Sequence, residues 1–340
     1  MPTPESQLIA FALGLKEANF GVTIPDTNFL TWIPANKVDF PELDIKYRDD
    51  TNDVNGMHGA TEREIESMMG KKAWEFQASE LSLAFFSAMQ LGRIAITGGS
   101  DPYSMTVKWP DICTINPPSF SYFHGLNCSG ATGTFKNRKG VVVAQQTIDI
   151  PGRGPIKHSI ALLDDGSITD DASFSVPTTP TAVKKLLGSN AVIQLGPPGS
   201  LVNLSSTKTL RSCKIAINAN PKEIYAPGSN ATTVDEYQYG EITDDVDLVV
   251  KGDESSAIFG YFLNKTLVQF ICTIDPGVSP LRSWKYTKTN CHVVACKVVA
   301  SGRETNLQVK LGPLSTSTDF NGPAQILAKT GQATWLVSAP

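Results

Sequence analysis

The sequence lacks the features that mark membrane proteins and metalloproteins. No apolar run reaches the roughly 18 residues that a membrane-spanning helix requires. There is no Cys-x-x-Cys pair, and no two histidines stand four residues apart as they do on a zinc-binding helix. We therefore predict no membrane partner and no metal site.

Motifs of nucleotide-binding and hydrolytic enzymes are also missing. Gly130 and Gly133 have neither a Walker lysine nor the Rossmann spacing, and no Gly-x-Ser-x-Gly nucleophile motif occurs. Paired aspartates could serve as acid and base, but their positions beside predicted turns favour solvated caps. We predict no catalytic residue, no cofactor and no enzymatic activity; the aspartate pairs are Asp164–Asp165, Asp170–Asp171 and Asp244–Asp245.

A strong charge of either sign is absent as well. The formal charge of −4 and the pI near 5.6 disfavour a protein that binds nucleic acid by neutralising phosphates. The six cysteines are typical of buried free thiols in a reducing compartment. Cys291 and Cys296 lie in a predicted strand that would place them on opposite faces, which argues against a shared zinc ion.

The sequence does contain a strand followed by a capped helix, and this unit occurs twice. Residues 74–78 alternate as a half-buried strand does, and residues 79–89 have polar capping residues followed by apolar residues at helical spacing. Residues 248–263 repeat this plan, with Asp253 and Glu254 as the predicted cap. Farther along, Tyr122 resembles Tyr286 at a smaller separation.

One separation of 174 residues relates Glu80 to Glu254 and Phe85 to Phe259. We interpret this as an internal duplication, with domains at 1–174 and 175–340 and a Pro/Thr-rich linker at 177–180. The predicted fold class is mainly β with minor α: two tandem β-sandwich or barrel domains, each with a flanking helix. Phe85 and Phe259 are predicted to be buried core residues of these helices, packed against the sheet of their own domain.

Alternating glutamates precede the first strand–helix unit. Glu62, Glu64 and Glu66 would line one face of a strand, where like charges repel. Either this is a solvated sheet face, or it is a channel wall whose negative charge keeps DNA moving. The second half offers Glu236 at the corresponding place.

In this order of elements the chain resembles the tail tube (major tail) proteins of long-tailed, siphovirus-like phages. The resemblance rests on the strand–helix unit at 74–89, the long loop predicted at 39–57 ahead of it and the hairpins after it. It implies a structural virion protein, assembled in the host cytoplasm, whose rings stack into the tail tube that conducts the genome. Two tube domains per chain imply a trimeric, pseudo-hexameric ring, with a hexamer as the alternative.

The resemblance also implies partners and surfaces. Double-stranded DNA would pass through the lumen without specific binding, lined by Glu62, Glu64, Glu66 and Glu236. Other tail proteins, such as tape measure and terminator proteins, would be partners. Loops at 39–57 and 218–233 would join successive rings, with the stacking candidates Asp49, Asp50, Asn52, Asn55, Asn220, Ser229 and Asn230.

Two other functions fit the composition. One is a binding module, such as a virion decoration or carbohydrate-binding β-sandwich, which clustered exposed aromatics would favour. The other is a β-rich hydrolase that uses the aspartate pairs, which would require two carboxylates converging in a cleft.

Overall fold

The structure is a computed structural model of the chain. It describes residues 6–11, 15–25, 31–32, 37–38, 42–50, 62–110, 113–127, 135–171, 174, 185–205, 209–225, 233–277, 282–301, 304–313 and 324–338. No helix within these residues is long and apolar enough to cross a membrane.

The described chain is built mainly of strands. In order, the elements are β1 (Ser6–Phe11), β2 (Leu15–Lys16), β3 (Thr31–Trp32), β4 (Lys37–Val38), β5 (Glu42–Asp50), β6 (Glu62–Gln77), α1 (Glu80–Leu91), β7 (Arg93–Thr97), β8 (Tyr103–Lys108), β9 (Phe120–Asn127), β10 (Phe135–Pro151), β11 (Lys157–Asp164), β12 (Thr169–Asp171), a 3₁₀ turn (Gly188–Asn190), β13 (Ala191–Gly196), β14 (Val202–Asn203), β15 (Leu210–Asn218), β16 (Lys222–Ile224), β17 (Glu236–Gln238), β18 (Thr243–Lys251), α2 (Ala257–Leu263), β19 (Val268–Ile274), β20 (Trp284–Ser301), β21 (Glu304–Pro313), β22 (Ala324–Thr330) and β23 (Val337–Ser338).

Eight of these strands form one long antiparallel sheet, called here the main sheet. Its order is β5–β6–β11–β10–β15–β18–β21–β20. The first four strands come from the first half of the chain and the last four from the second. The predicted mainly β fold class is therefore confirmed.

Two smaller sheets cover the main sheet. The first cover sheet runs β3–β1–β9–β10–β12. The second runs β14–β13–β19–β20–β22 and is extended by β8 and β7. The long strands β10 and β20 belong to a cover sheet at their N-terminal ends and to the main sheet at their C-terminal ends. Followed from strand to strand, these pairings never return to their starting point within the described residues.

The two halves share one plan of strand pairing. The main-sheet order β5–β6–β11–β10 corresponds to β15–β18–β21–β20, and the order in the first cover sheet corresponds to β14–β13–β19–β20–β22. The irregularities correspond too: Ala144 bulges from β10 against β11, and Val294 bulges from β20 against β21. The ladder to the cover sheet slips after Arg138 in β10 and after Lys288 in β20. These coincidences of register give residue-by-residue correspondences between the halves.

The halves nevertheless pack as one unit. Buried side chains from both belong to a single hydrophobic cluster, and the pairings β10–β15 and β8–β22 cross the predicted boundary. A second, smaller cluster, formed by Met69, Val142, Val234 and Tyr237, also draws side chains from both halves, so the described residues do not divide into one core for each half. The division at 174/175 stays a prediction.

The two helices differ in length and burial. Ser79 caps α1 in a reciprocal capping box with Ser82, and all twelve residues of α1 are buried. Helix α2 has seven residues, and none of them is fully buried. It begins after Ser256, whose hydroxyl oxygen accepts a hydrogen bond from the backbone amide of Phe259. The predicted cap at Asp253–Glu254 is therefore wrong: the Asp253 carboxylate instead accepts the amide and hydroxyl of Ser255.

The burial predicted for the two phenylalanines holds for only one of them. Phe85 is fully buried, with its ring edge-to-face against Phe86 and Phe120 at centroid distances of 5.0 and 5.5 Å. Phe259 is only partly buried against the core cluster. Counted from the caps at Ser79 and Ser256, Phe85 corresponds to Phe262.

Each half buries one carboxylate with a cation where its long strand passes between sheets. In the first half, Asp164 accepts from Lys72, and Arg138 lies 3.5 Å away. In the second, Lys288, the counterpart of Arg138, bonds the Asp244 carboxylate at 2.9 Å. A buried charge without such a partner would be strongly destabilising.

The carboxylates reach this place from different strands. A Cβ at Gly70 would lie 2.0 Å from Oδ1 of Asp164, so any side chain at that position would displace the buried carboxylate. The counterpart of Gly70 is Asp244, and the counterpart of Asp164 is Pro313. Each half therefore has one carboxylate at this place, Asp164 or Asp244. The position that faces it carries no second acidic side chain: it is Gly70 in the first half and Pro313 in the second.

Two further predictions need correction. Residues 42–50 of the predicted loop at 39–57 form β5, paired to β6, because β6 extends far beyond the strand–helix unit. Cys291 and Cys296 do not take opposite faces: the bulge at Val294 adds one residue, so both thiols contribute to the core. Both are free thiols.

The burial difference between the helices predicts a difference in stability. Phe85→Ala should lower the free energy of unfolding by about 3–5 kcal/mol, the range for a large buried aromatic residue. Phe259→Ala, the matched control, should cost less because part of its ring already meets solvent. Urea titration of the soluble subunit measures both, and equal costs would contradict the assigned packing.

Candidate assembly surface

The two halves meet through backbone hydrogen bonds between β10 and β15. The register runs from Gln145 opposite Asn218 to Pro151 opposite Ser212. The core-facing residues of β10 at this junction, Gln146, Ile148 and Ile150, are fully buried. The junction is thus a sheet edge that has been covered by the next strand.

A buried polar network fixes this junction from the side of α1. The Gln90 amide donates to the Ile217 carbonyl of β15 at 2.9 Å and to the Ala144 carbonyl of β10 at 3.4 Å. Gln146 donates to the Gln90 oxygen at 2.6 Å, and His158 lies 3.3 Å from the Gln146 oxygen. One side chain therefore holds both strands of the junction.

The chain after β15 continues the contact. Ala219 donates its amide to the Ala144 carbonyl at 2.8 Å, directly on the bulge of β10. The hairpin of β16 and β17 then packs on the first half, where Tyr237 is buried and donates to the Asp164 carbonyl. Tyr239 donates its amide to Ile115 near the C-terminal end of α1. The β15–β18 connection thus covers the bulge and the end of the helix.

Both outer strands of the main sheet have one edge with no partner among the described residues. β5 pairs only with β6, and β20 beyond Cys291 pairs only with β21. Through β6 and β18, Glu42–Asp44 of β5 correspond to Ala216–Asn218 of β15, and β4, which pairs with β6 along the same edge, corresponds to Ser212 and Cys213. The counterpart of β20 is β10, so these are the strands that meet at the internal junction. The open edge of β20 therefore corresponds to the β10 side of the junction, and the open edge of β5 corresponds to the β15 side.

The open edge of β20 leaves apolar surface in solvent. Val294 on the bulge is 53% exposed, and Cys296 and Val298, the counterparts of Gln146 and Ile148, are only partly buried. Isolated unpaired edges of this kind invite pairing with another chain. Gln146 and Ile148 are fully buried where β15 lies beside β10, whereas Cys296 and Val298 are only partly buried where no described strand lies beside β20.

The solvent face of the main sheet carries charges of both signs. Lys157 lies 3.7 Å from Glu75, and Lys310 lies 3.3 Å from Asp245. Glu304 lies 2.5 Å from Arg211. The described part of this face is therefore not a uniformly acidic wall.

The predicted lumen residues fall into two groups. Glu62, Glu64 and Glu66 lie in β6, as expected of a strand, and Glu62 and Glu64 stand opposite Asp50 and Arg48 of β5; their side chains lie outside the described part. Glu236 lies on β17, off the main sheet, and accepts from Asn116 at 2.9 Å. The predicted place of Glu236 on the strand that leads into α2 is wrong, because that strand is β18; the lumen assignment itself stays a prediction.

The predicted stacking residues also lie in different parts of the chain's structure. Asp49 and Asp50 belong to β5, so the loop assigned to them is corrected to a strand. Asn220 adopts a left-handed φ of 43° after β15 and donates to the Glu241 carbonyl at 2.7 Å, within the junction region. The remaining candidates, Asn52, Asn55, Ser229 and Asn230, lie outside the described residues.

Sequence reasoning missed the residues that shape the junction. Gln90, Gln146 and His158 are polar side chains inside a core, and nothing in their sequence spacing links them. The only available signal was the Asn218–Asn220 pair of turn-forming residues at the end of β15. Across the described residues, no group of three or more histidine, cysteine or acidic side chains could hold a metal ion.

Comparison with known proteins adds no assignment: no protein-family model matches this sequence, and no curated protein matches it significantly.

The junction network predicts a pH dependence. Burial lowers the pKa of His158 to about 3, below the ordinary value of 6.5. The unfolded chain then binds more protons, so stability should fall as pH drops from about 6.5 towards 3, by up to about 1.4 kcal/mol per pH unit. Burial lowers the pKa of His124 to about 4, which adds a second contribution. His158→Gln should flatten the decline of unfolding free energy between pH 6.5 and 5; a curve parallel to the unsubstituted chain would contradict a neutral buried His158.

Proposed function

We propose that this chain is a structural protein that assembles with copies of itself, edge to edge, into closed rings. The observation that carries the proposal is the relation between the open edges: β20 and β5 correspond to the paired strands β10 and β15. A surface and its complement on opposite sides of one molecule make a heterologous contact, which closes into a ring when the rotation allows.

The internal junction supplies the register of the contact between copies. Thr147 stands opposite Ala216 in β10–β15. The counterpart of Thr147 is Lys297, and the counterpart of Ala216 is Glu42. Lys297 of one copy would then stand directly opposite Glu42 of the next, an opposite-charge pair that favours this register.

For the ring size we propose three chains, the number that the resemblance to tail tube proteins implies. Each chain contributes two similar four-stranded units to the main sheet, so three chains would supply the six units of a pseudo-hexameric ring. Rings that stack along their axis form a tube. We further propose that this tube is a phage tail tube through which double-stranded DNA passes, with tape measure and terminator proteins as partners and the virion tail as its location.

Paired cysteines test the ring and its register together. In a Cys113→Ser background, which removes an exposed thiol, Lys297→Cys with Glu42→Cys should form disulfides between copies under mild oxidation. Directly opposite residues have Cβ atoms about 4.5–5.5 Å apart, near the disulfide range. The ladder on a non-reducing gel should end at three chains of 36.6 kDa.

A shift of one residue provides the control. Val298→Cys with Glu42→Cys puts the two thiols on opposite faces, so it should not cross-link. Negative-stain microscopy of the unsubstituted chain should show rings or tubes. A ladder ending at six chains would replace the trimer by a hexamer, and a chain that stays monomeric would overturn the proposed function.

A further inference from the structure

An apolar groove lies beside the open edge of β20. It runs between the C-terminal end of α2 and the bulge of β20, and is lined by Phe262, Leu263, Lys265, His292, Val293 and Val294. Leu263 is 64% exposed and Val294 is 53% exposed. Apolar side chains exposed together on a folded surface mark an interaction site.

The corresponding place in the first half is filled. There the bulge residue Ala144 accepts the amide of Ala219, and the β15–β18 connection lies over the end of α1. A Cβ at Gly92, the C-cap of α1, would lie 3.0 Å from the Tyr239 hydroxyl, which shows how closely that connection approaches. The occupant of this place is thus the chain that follows the strand paired to β10.

We propose that the groove receives the β5–β6 hairpin of a second copy of this chain, an inference that rests on the proposed ring. The counterpart of Asn218 is Asp44, so the counterpart of Ala219 is Ile45. The Ile45 amide of the incoming copy donates to the Val294 carbonyl, and the hairpin beyond it lies along α2. The contact continues the edge pairing of β20 without a break.

Charge favours the same occupant. The described strands of the hairpin are rich in carboxylates, including Glu62, Glu64 and Glu66, whereas the groove presents the amine of Lys265. Complementary charge steers association and selects the partner. In this arrangement Glu62, Glu64 and Glu66 of β6, which the sequence analysis assigned to the lumen, lie at a contact with a neighbouring subunit.

A photo-cross-linker in the groove tests the occupant. Leu263→p-benzoylphenylalanine should, in assembled chains, capture peptides from 42–50 or 62–69 of another copy; mixing ¹⁴N- and ¹⁵N-labelled chains separates contacts between copies from those within one. Val192, 40% exposed on β13, is the matched control and should not capture these peptides. Val294→Asp should raise the concentration needed for ring formation about tenfold, while Val192→Asp leaves it unchanged.

The outcomes separate this inference from the proposed function. Rings with cross-links to other segments, or only within one copy, would overturn the groove assignment and leave the ring standing. Absence of rings under all conditions would overturn the proposed function and this inference with it. Thermal unfolding of Val294→Asp should match the unsubstituted subunit, because Val294 is exposed before assembly.

Discussion

Unpaired backbone groups at the edges of one sheet are the constraint on which this structure depends. Within the chain the constraint is met once, where β15 covers β10 and Ala219 satisfies the bulge carbonyl of Ala144. At β20 and β5 the same groups have no partner among the described residues. Because the halves share one pairing plan, the proposed ring uses the same solution between copies: the open edge of one copy is met by another copy in the register of the internal junction.

Local features of the fold could be predicted from the sequence. The alternation before Ser79 and the helical spacing after it depend on nearby residues, and both are present in β6 and α1. The separation of 174 residues also holds between β6 and β18, where Lys72 corresponds to Val246.

Long-range features could not be predicted. The match of Tyr122 to Tyr286 is wrong: pairing to the long strands makes Phe270 the counterpart of Tyr122. The β7–β8 hairpin, which extends the second cover sheet, has no described counterpart and shifts the alignment. The exchange between Asp164 and Asp244 conceals the buried ion pair, because each half supplies it from a different strand. Such compensations follow from three-dimensional contact and leave no periodic signal.

The internal junction and the proposed contact between copies differ in chemistry. The junction within the chain keeps a buried polar network, in which Gln146 and His158 take part. Their counterparts beside the open edge of β20 are Cys296 and Leu307, so these two positions place no such network there. The exposed Lys297 would oppose unselective pairing of this edge, since a lysine on an edge strand disfavours a partner that offers no acid opposite it. In the proposed ring that acid is Glu42, so the same lysine would select another copy of the chain as the next strand.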